Sequence, residues 1–258
     1  MIKLNANISM LFQELEVLER LSAASNFGFN GVELLFPYAF DKDIIRENLD
    51  KNNLKMILFN MPPGDWESGE RGMACDPNRI TEFQDSTEIA IKYAETLNCK
   101  KLHCMAGIKP RISNLGILTE TYKKNLKFAA HEAQKKGIQI LIEPINNIDI
   151  PEYYLNYSST GLAILNELNI PNLMLQYDIY HMQIMEGNLA KTIKENINKI
   201  GHFQLADTPG RHEPGTGEIN FNFLLPFIDS LGYSEWIGCE YLPKTTTIES
   251  LKWTKQFM

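Results

Sequence analysis

The stretch of sequence that decides the fold class is residues 137–144, GIQILIEP. Gly137 joins the helical pattern of Leu118–Lys136 to a nearly continuous apolar strand, Ile138–Glu143. A strand that is apolar on both faces is typical of a parallel sheet that helices cover on both sides. This strand closes on Glu143, which places a carboxylate at its carboxyl end.

The same alternation of strand and helix continues on both sides of this stretch. We predict eight strands: Ile2–Ile8, Gly31–Phe36, Met56–Asn60, Lys101–Ala106, Ile138–Glu143, Leu173–Asp178, His202–Ala206 and Trp236–Tyr241. We predict seven helices: Glu14–Asn26, Asp43–Asn53, Asn78–Leu97, Leu118–Lys136, Ser159–Leu168, Asn188–Ile200 and Asn222–Leu231. Glycines suited to a left-handed C-cap follow four of these helices: Gly28, Gly137, Gly201 and Gly232.

The spacing of the strands leaves room for a crossover helix each time, as parallel strands require. We therefore predict an α/β fold, a single (β/α)8 TIM barrel domain that spans residues 1–258. A doubly wound open sheet is the alternative. That fold usually binds nucleotides, but no GxGxxG motif follows the first strand and no P-loop motif occurs in the chain. The sequence favours the barrel.

The balance of charge argues against a nucleic-acid partner. Lys and Arg number 25 against 32 Asp and Glu, so the formal net charge is -7, whereas binding to phosphate backbones usually needs a basic face. No apolar run reaches the length of a membrane span, and the N-terminus has no apolar signal segment. We expect a cytoplasmic protein with free cysteines that acts on a small molecule and binds neither nucleic acid nor membrane. A homo-oligomer is compatible with these features.

Four consecutive predicted strands carry oxygen-bearing side chains near their carboxyl ends: Glu143, Asp178, Gln204 and Glu240. Because the active sites of TIM barrels lie at the carboxyl ends of the strands, we expect these four side chains to share one rim. Carboxylate and amide oxygens suit a hard divalent cation, with Mg²⁺ or Mn²⁺ the first choice. For each residue taken alone, the alternative is a solvated loop position.

Three histidines lie in or near these strands. His181 follows Asp178 by three residues, and we expect it to reach the metal or a substrate oxygen, with a structural histidine as the alternative. His103 lies in strand four and points either into the mouth of the barrel or into the packing. His202 is predicted to start strand seven, at the end away from the site, and to be structural.

Two long loops supply further polar groups. The loop after strand three, residues 61–72, is suited to cover the site and carries Glu70 and Arg71. The loop after strand seven, residues 207–218, carries Arg211. Because a guanidinium offers two parallel donors to a carboxylate, Arg71 and Arg211 are candidates for holding an acidic substrate, with surface arginines as the alternative.

Several longer motifs are spread over nearly the whole chain. They are NANISMLF (5–12), GVE (31–33), GDW (64–66), GERG (69–72), IEPIN (142–146), QYDIYHMQ (176–183), EPGTGEIN (213–220) and GCEY (238–241). Together they resemble the motifs of the hydroxypyruvate isomerase family, within the xylose isomerase-like TIM barrels. Residues 102–107, LHCMAG, also resemble relatives that act on four-carbon 2-oxo-tetronates.

The resemblance implies a metal bound by Glu143, Asp178, Gln204 and Glu240. It also implies that Glu143 and Glu240 form the proton donor and acceptor pair. In many relatives with epimerase activity the ligand on strand seven is a histidine, so Gln204 fits the hydroxypyruvate isomerase type. The substrate would bind through residues around this metal: His181, Arg211, Glu70, Arg71 and His103.

The implied activity is a metal-dependent isomerisation that interconverts hydroxypyruvate and tartronate semialdehyde (2-hydroxy-3-oxopropanoate) through an enediolate. A 2-oxo-tetronate isomerase and a ketose 3-epimerase are alternatives on the same scaffold. An abasic-site endonuclease ordinarily needs a histidine-rich multi-metal site and a basic face, and five histidines with a net charge of -7 argue against it. A barrel that binds a sugar acid without turnover is the alternative from a different class.

Overall fold

Eight parallel strands close into one barrel in the computed structural model, which describes residues 2–110 and 114–257. The strands are β1 (Lys3–Asn7), β2 (Gly31–Leu34), β3 (Lys55–Asn60), β4 (Lys101–His103), β5 (Gln139–Ile142), β6 (Leu173–Asp178), β7 (Ile200–Leu205) and β8 (Trp236–Cys239). The barrel closes where β1 pairs with β8, with Leu4 opposite Ile237. The predicted TIM barrel, with its first and last strands side by side, is confirmed. Met1 and Met258, the ends of the predicted domain, lie outside the described residues.

Helices surround the barrel and connect its strands. The α-helices are α1 (Val17–Phe27), α2 (Lys42–Lys51), α3 (Ile80–Leu97), α4 (Leu115–Gln134), α5 (Ser158–Leu168), α6 (Ile179–Met185), α7 (Leu189–Asn196), α8 (Phe221–Ser230) and α9 (Thr247–Ser250). Short 3-10 helices span Pro37–Ala39, Ile197–Lys199 and Leu251–Gln256. The sequence pattern predicts neither α6 nor α9, because both are too short to show a helical period. In the part of the chain that the structure describes, no helix has both the length and the apolar character needed to cross a membrane.

The segment before β7 differs from the prediction. The predicted helix Asn188–Ile200 is too long, because α7 ends at Asn196 and β7 already begins at Ile200. The 3-10 helix Ile197–Lys199 links the two elements directly. The helical period therefore continues in the sequence past the point where the α-helix ends.

Because β7 begins at Ile200, two of its residues have positions other than those predicted. Gly201, predicted to cap a helix, is a strand residue, and a Cβ there would lie 2.8 Å from Leu141 Cδ2. His202, predicted to start the strand, lies inside it and is fully buried. Its Nε2 is 2.5 Å from Glu33 Oε1 in the interior of the barrel.

The apolar core lies between the barrel and its helices, whereas the inside of the barrel is largely polar. In β6, Leu175 and Tyr177 belong to the apolar core, while Gln176 and Asp178 alternate with them. This is the two-residue period of a strand whose faces have different surroundings. Other strands contribute buried polar side chains as well: Asn5, Asn7, Glu33, Lys101, His103, His202 and Gln204. The fold thus keeps its polar groups inside the barrel, where they lead towards the carboxyl ends of the strands.

Candidate active site at the mouth of the barrel

Three of the predicted carboxylates meet at the carboxyl ends of the strands. Glu143 and Glu240 follow directly after β5 and β8, and Asp178 is the last residue of β6. Asp178 is also the N-cap of α6, where its Oδ1 accepts the backbone N–H of Tyr180 at 2.8 Å. All three carboxylates are buried. The short strands thus place three acidic groups in one poorly solvated region.

This cluster has the composition of a cation site. One carboxylate oxygen each of Glu143 and Asp178 and one ring nitrogen of His181 lie within 4.8 Å of one another. Glu143 Oε1 is buried without a hydrogen-bond partner in the described parts of the chain. A buried oxygen without a partner costs free energy, which a cation at that position would remove. Because the donors are mainly carboxylate oxygens, the residues fit a hard divalent cation.

Gln204, the fourth predicted ligand, is fixed by hydrogen bonds on both sides. Its Nε2 donates to Glu33 Oε2 at 2.9 Å, and its Oε1 accepts from Gln176 Nε2 at 2.6 Å. In the sheet it lies opposite Asp178. An amide oxygen has two lone pairs, so this oxygen can still bind a cation next to Asp178.

His181 is held in one tautomer by Asn146. The Nδ1 of His181 lies 2.7 Å from the side-chain Nδ2 of Asn146 and 3.4 Å from its backbone N. The amide of Asn146 is oriented in turn, because its Oδ1 accepts the backbone N–H groups of Ile148 and Asp149. Both neighbours of Nδ1 are therefore donors, and the proton of His181 lies on Nε2. Burial also lowers the pKa of His181 well below its usual range and keeps the ring neutral.

The Nε2–H group of His181 lies 3.5 Å from Asp178 Oδ2. A protonated ring nitrogen cannot bind a metal, so this tautomer makes His181 a hydrogen-bond donor to a carboxylate or a substrate oxygen. Of the alternatives that the sequence leaves open for His181, this tautomer is compatible with a substrate contact or a structural role and not with metal binding.

His103 has the opposite arrangement. Its Nδ1 lies 3.1 Å from Asn60 Oδ1 and 3.3 Å from Glu143 Oε2, which are both acceptors. Burial lowers the pKa of His103 to about 3, so the ring is neutral. Because both neighbours of Nδ1 are acceptors, the proton lies on Nδ1 and bonds Asn60 Oδ1, with Glu143 close by. His103 therefore points into the mouth of the barrel, one of the two directions that the sequence leaves open.

Arg211 reaches the same carboxylates from the loop after β7. Its Nη2 lies 3.2 Å from Glu240 Oε2 and 3.5 Å from Asp178 Oδ2. The guanidinium also lies over the ring of Tyr180, 5.1 Å from the centroid. Burial opposes the charge of Arg211, but the surrounding carboxylates outweigh it and raise the pKa of the guanidinium. Arg211 is thus a permanent cation inside the acidic cluster.

Asp207 holds the loop that carries Arg211. Its carboxylate accepts four backbone N–H groups, from Thr208, Gly215, Gly217 and Ile219, at 2.9–3.0 Å. At Gly217 a Cβ would lie 2.2 Å from the carbonyl oxygen of Thr208. The glycines of this loop therefore allow it to wrap closely around the carboxylate of Asp207. This wrapping fixes the position from which Arg211 reaches the carboxylate cluster.

The two predicted residues of the loop after β3 have different surroundings. The guanidinium of Arg71 lies 3.7 Å from the ring centroid of Trp66, and its Nη1 donates to the carbonyl oxygens of Trp66 and Glu70. The carboxylate of Glu70 instead bonds the Nη1 of Arg79 at 2.7 Å and accepts the N–H of Asp65 at 2.6 Å. Arg71 faces the cavity, whereas Glu70 anchors the loop from behind.

One cavity of about 540 Å³ joins these groups. Six of the residues predicted to bind or transform a substrate line it: Arg71, His103, Glu143, His181, Arg211 and Glu240. Asp178 and Gln204 are buried, and neither they nor Glu70 are among the described residues that line it. The cavity is large enough to hold a small acid next to the side chains that would bind it.

The carboxylates of the cluster hold protons more tightly than usual. Burial raises the pKa of Glu240 to about 8 and that of Asp178 to about 6, although Arg211 opposes both shifts. Burial and the charges of Glu240 and Asp178 raise the pKa of Glu143 well above its usual range. Without a metal, these groups therefore exchange protons near neutral pH.

Sequence reasoning assigns no role to several residues that organise the site: Glu33, Asn60, Asn146, Asp149 and Gln176. Asn146 and Asp149 lie after β5 and fix His181 and Arg211. Glu33 and Gln176 lie within otherwise apolar strands and bond to Gln204. A polar side chain in an apolar strand of a barrel is a usable signal, because it must find a partner inside the barrel.

A closed eight-stranded parallel barrel with buried acids at the carboxyl ends of its strands defines a TIM-barrel enzyme. The family model for xylose isomerase-like TIM barrels matches residues 21–257. The chain belongs to this family.

Two relatives match this chain over nearly its full length. The hydroxypyruvate isomerase of Escherichia coli (strain K12) is 45% identical over 253 residues, which cover 98% of each chain. The 2-oxo-tetronate isomerase of Cupriavidus necator is 44% identical, with 98% of this chain and 97% of that protein covered. Their shared reaction class makes this chain an isomerase.

A solved structure has nearly the same backbone. The crystal structure described as AP endonuclease, family 2, from Brucella melitensis matches with a TM-score of 0.98 and 41% identity. The match covers 100% of this chain and 99% of that one.

Proposed function

We propose that this isomerase interconverts hydroxypyruvate and tartronate semialdehyde with the aid of one divalent cation, Mg²⁺ or Mn²⁺. The observation that carries the proposal is the pair Glu143 and Glu240. Both are buried, and both line the cavity. Two such carboxylates at one small cavity supply the acid and the base that an isomerisation between adjacent carbons needs.

The reaction moves one proton from the hydroxymethyl carbon to the neighbouring carbonyl carbon, and a second proton from the hydroxyl oxygen to the former carbonyl oxygen. One glutamate accepts the proton from the first carbon, which leaves an enediolate, and a proton then returns to the second carbon from the glutamate pair. Glu143, Asp178, Gln204 and Glu240 would hold the cation, which would supply positive charge that stabilises the developing enediolate. The Nδ1–H of His103, which bonds Asn60, lies 3.3 Å from the carboxylate of Glu143 and adds a polar neighbour to it.

Three further residues bind and orient the acid in this proposal. The Nε2–H of His181 donates to a substrate oxygen, and the guanidinium of Arg211 binds a negatively charged oxygen of the substrate. Arg71 lies on the covering loop with its guanidinium already held by Trp66, and it pairs with the substrate carboxylate. Glu70 supports the loop through Arg79 rather than touching the substrate.

The four-carbon 2-oxo-tetronates are the second candidate substrates, because one relative named for them is 44% identical. Ketoses come third, since two arginines in the cavity favour an acid over a neutral sugar. A nuclease activity is not favoured. A net charge of -7 repels a phosphate backbone, in spite of the description carried by the similar Brucella melitensis structure.

The decisive experiment is an isomerisation assay on metal-stripped protein, before and after addition of Mn²⁺ or Mg²⁺. Hydroxypyruvate, a 2-oxo-tetronate and a neutral ketose are compared by kcat/KM. We expect turnover only with metal and the highest kcat/KM for hydroxypyruvate. Binding of the acid without turnover would identify a non-catalytic binder, and a higher value for a ketose would identify an epimerase-like specificity.

We propose further that residues 1–258 form a single domain that acts in the cytoplasm. The cysteines support a reducing compartment, because Cys75, Cys99, Cys104 and Cys239 are all free and buried. A homo-oligomer stays a prediction, and sedimentation of the purified protein tests it.

A further inference from the structure

Glu33 is a carboxylate enclosed by hydrogen-bond donors inside the barrel. It lies on β2 and is almost completely buried. Its Oε1 accepts from Asn5 Nδ2 at 2.7 Å and lies 2.5 Å from His202 Nε2. Its Oε2 accepts from Gln204 Nε2 at 2.9 Å. The more distant Nδ2 of Asn7 lies 3.5 Å from the same oxygen.

This environment determines which atom of Gln204 points towards Glu33. The oxygens of Glu33 already accept from Asn5 and face His202, so the carboxylate binds the nitrogen of a neighbouring amide rather than its oxygen. The oxygen of Gln204 is thereby turned away from Glu33 and accepts from Gln176 Nε2. Without Glu33, the amide would have a bonding partner for its oxygen but none for its nitrogen.

The chain leaves space for this carboxylate at Gly238. A Cβ at that position would lie 2.2 Å from Glu33 Oε1 and 2.7 Å from Glu33 Oε2. Gly238 lies in β8, directly opposite Gln204 of β7. Three positions on β2, β7 and β8 thus pack together: Glu33, Gln204 and Gly238.

We propose that Glu33 is a positioning residue that orients the Gln204 amide and makes its oxygen the atom available to the divalent cation. The inference rests on the proposed function, in which Gln204 is a metal ligand. Glu33 itself touches neither metal nor substrate in this scheme. Its effect is transmitted through one hydrogen bond, and that bond makes it separable from a purely structural role.

The test measures Mn²⁺ binding by isothermal titration calorimetry on metal-stripped protein without substrate. Glu33→Met removes the acceptor for Gln204 at similar side-chain length. Loss of a group that orients a ligand typically weakens metal binding by about 10–100-fold, which is the loss expected here. In a Gln204→Leu background the same Glu33→Met change should alter the affinity by less than about threefold, because the two residues act as one unit.

A swapped pair makes the test independent of the stability of Glu33→Met. In the double variant Glu33→Gln with Gln204→Glu, the amide at position 33 donates to the carboxylate at position 204. That arrangement keeps the bond and leaves an oxygen for the metal. We expect its Mn²⁺ affinity to reach at least that of the parent, whereas Gln204→Leu stays weak. Lys101→Met is the matched control, since Lys101 bonds Gly201 and Glu235 inside the same barrel and should leave Mn²⁺ affinity undiminished.

The inference is overturned if Glu33→Met binds Mn²⁺ as the parent does, or if it causes the same loss with and without Gln204. A swapped pair that binds no better than Gln204→Leu also overturns it. Failure of the proposed function has a different signature, because the parent itself would then bind no Mn²⁺ or would not turn over hydroxypyruvate.

Discussion

Glu33 and Glu143 are both glutamates buried inside the barrel, but they differ in what surrounds them. Three donors within 2.9 Å bond the carboxylate of Glu33. Glu143 lies near two other acids, and one of its oxygens has no partner among the described residues. The first glutamate is satisfied by the protein, whereas the second still needs a cation or a proton.

This difference separates a structural carboxylate from a reactive one. A buried charge that is fully hydrogen-bonded fixes structure, and one that lacks partners shifts its pKa and becomes available for proton transfer. Glu33 lies within strand β2, and Glu143 lies just past the carboxyl end of β5. Each prediction below tests one side of this contrast.

The largest effect is expected at the poorly compensated glutamates. Glu143→Gln or Glu240→Gln keeps an oxygen donor but removes the exchangeable carboxylate. Because general acid–base catalysis contributes about 10²–10⁴-fold, kcat on hydroxypyruvate should fall by that factor at saturating metal. Glu235→Gln is the control, since Glu235 pairs with Lys101 at the other end of the barrel. Parent-like kcat in both site variants would show that the pair is structural.

Arg211 should have the next largest effect, on binding of the acid. A hydrogen bond to a charged group contributes about 1.5–3 kcal/mol, so Arg211→Met should raise KM for hydroxypyruvate about 10- to 100-fold. Its removal also frees Asp178 and Glu240 from a competing cation, so Mn²⁺ affinity should not fall. Steady-state kinetics and calorimetry on one preparation measure both quantities. An unchanged KM would place Arg211 outside the substrate site.

The pH dependence of stability tests the unsatisfied carboxylates without any substrate. The folded protein holds protons on Glu143 and Glu240 that the unfolded chain releases, because burial raises their pKa values, that of Glu240 to about 8. Metal-free protein should therefore lose stability as pH rises from 6.5 to 8. The buried histidines, whose pKa values are lowered, destabilise the fold only below about pH 6.5, the usual histidine pKa.

Melting temperature in a chelator measures this loss, at about 2–4 °C for each kcal/mol. Saturating Mn²⁺ should abolish the decline, since it replaces the protons on these carboxylates. A melting temperature that rises over this pH range without metal would contradict the assignment of raised pKa values.

The smallest effect is expected at Glu70, a satisfied carboxylate on the covering loop. Its ion pair with Arg79 is partly exposed, and such pairs contribute about 0–1 kcal/mol. Glu70→Gln should change KM for hydroxypyruvate by less than about fivefold, whereas Arg71→Met on the same loop should raise it more. A larger loss at Glu70 than at Arg71 would reverse their roles.

The sequence predicted the barrel well because apolar strands and amphipathic helices alternate without interruption. It also placed Glu143, Asp178 and Glu240 at one end of the barrel, since each follows or closes an apolar strand. It could not assign Glu33 to Gln204, because that bond depends on the tilt and stagger of β2 relative to β7. The orientation of Glu70 was equally hidden. Neighbouring residues of a loop have no fixed period, so the pattern cannot tell which one faces the cavity.

The separation of the apolar layer from the polar barrel interior has a consequence for how such enzymes diversify. The contacts that hold the barrel together lie between strands and helices, with residues such as Leu175 and Tyr177. The groups that meet the cavity project from alternate positions of the same strands. Substitutions inside the barrel can therefore alter a reaction while the apolar layer that stabilises the fold stays intact. New substrate specificities can evolve on this fold through single substitutions at positions that face the inside of the barrel.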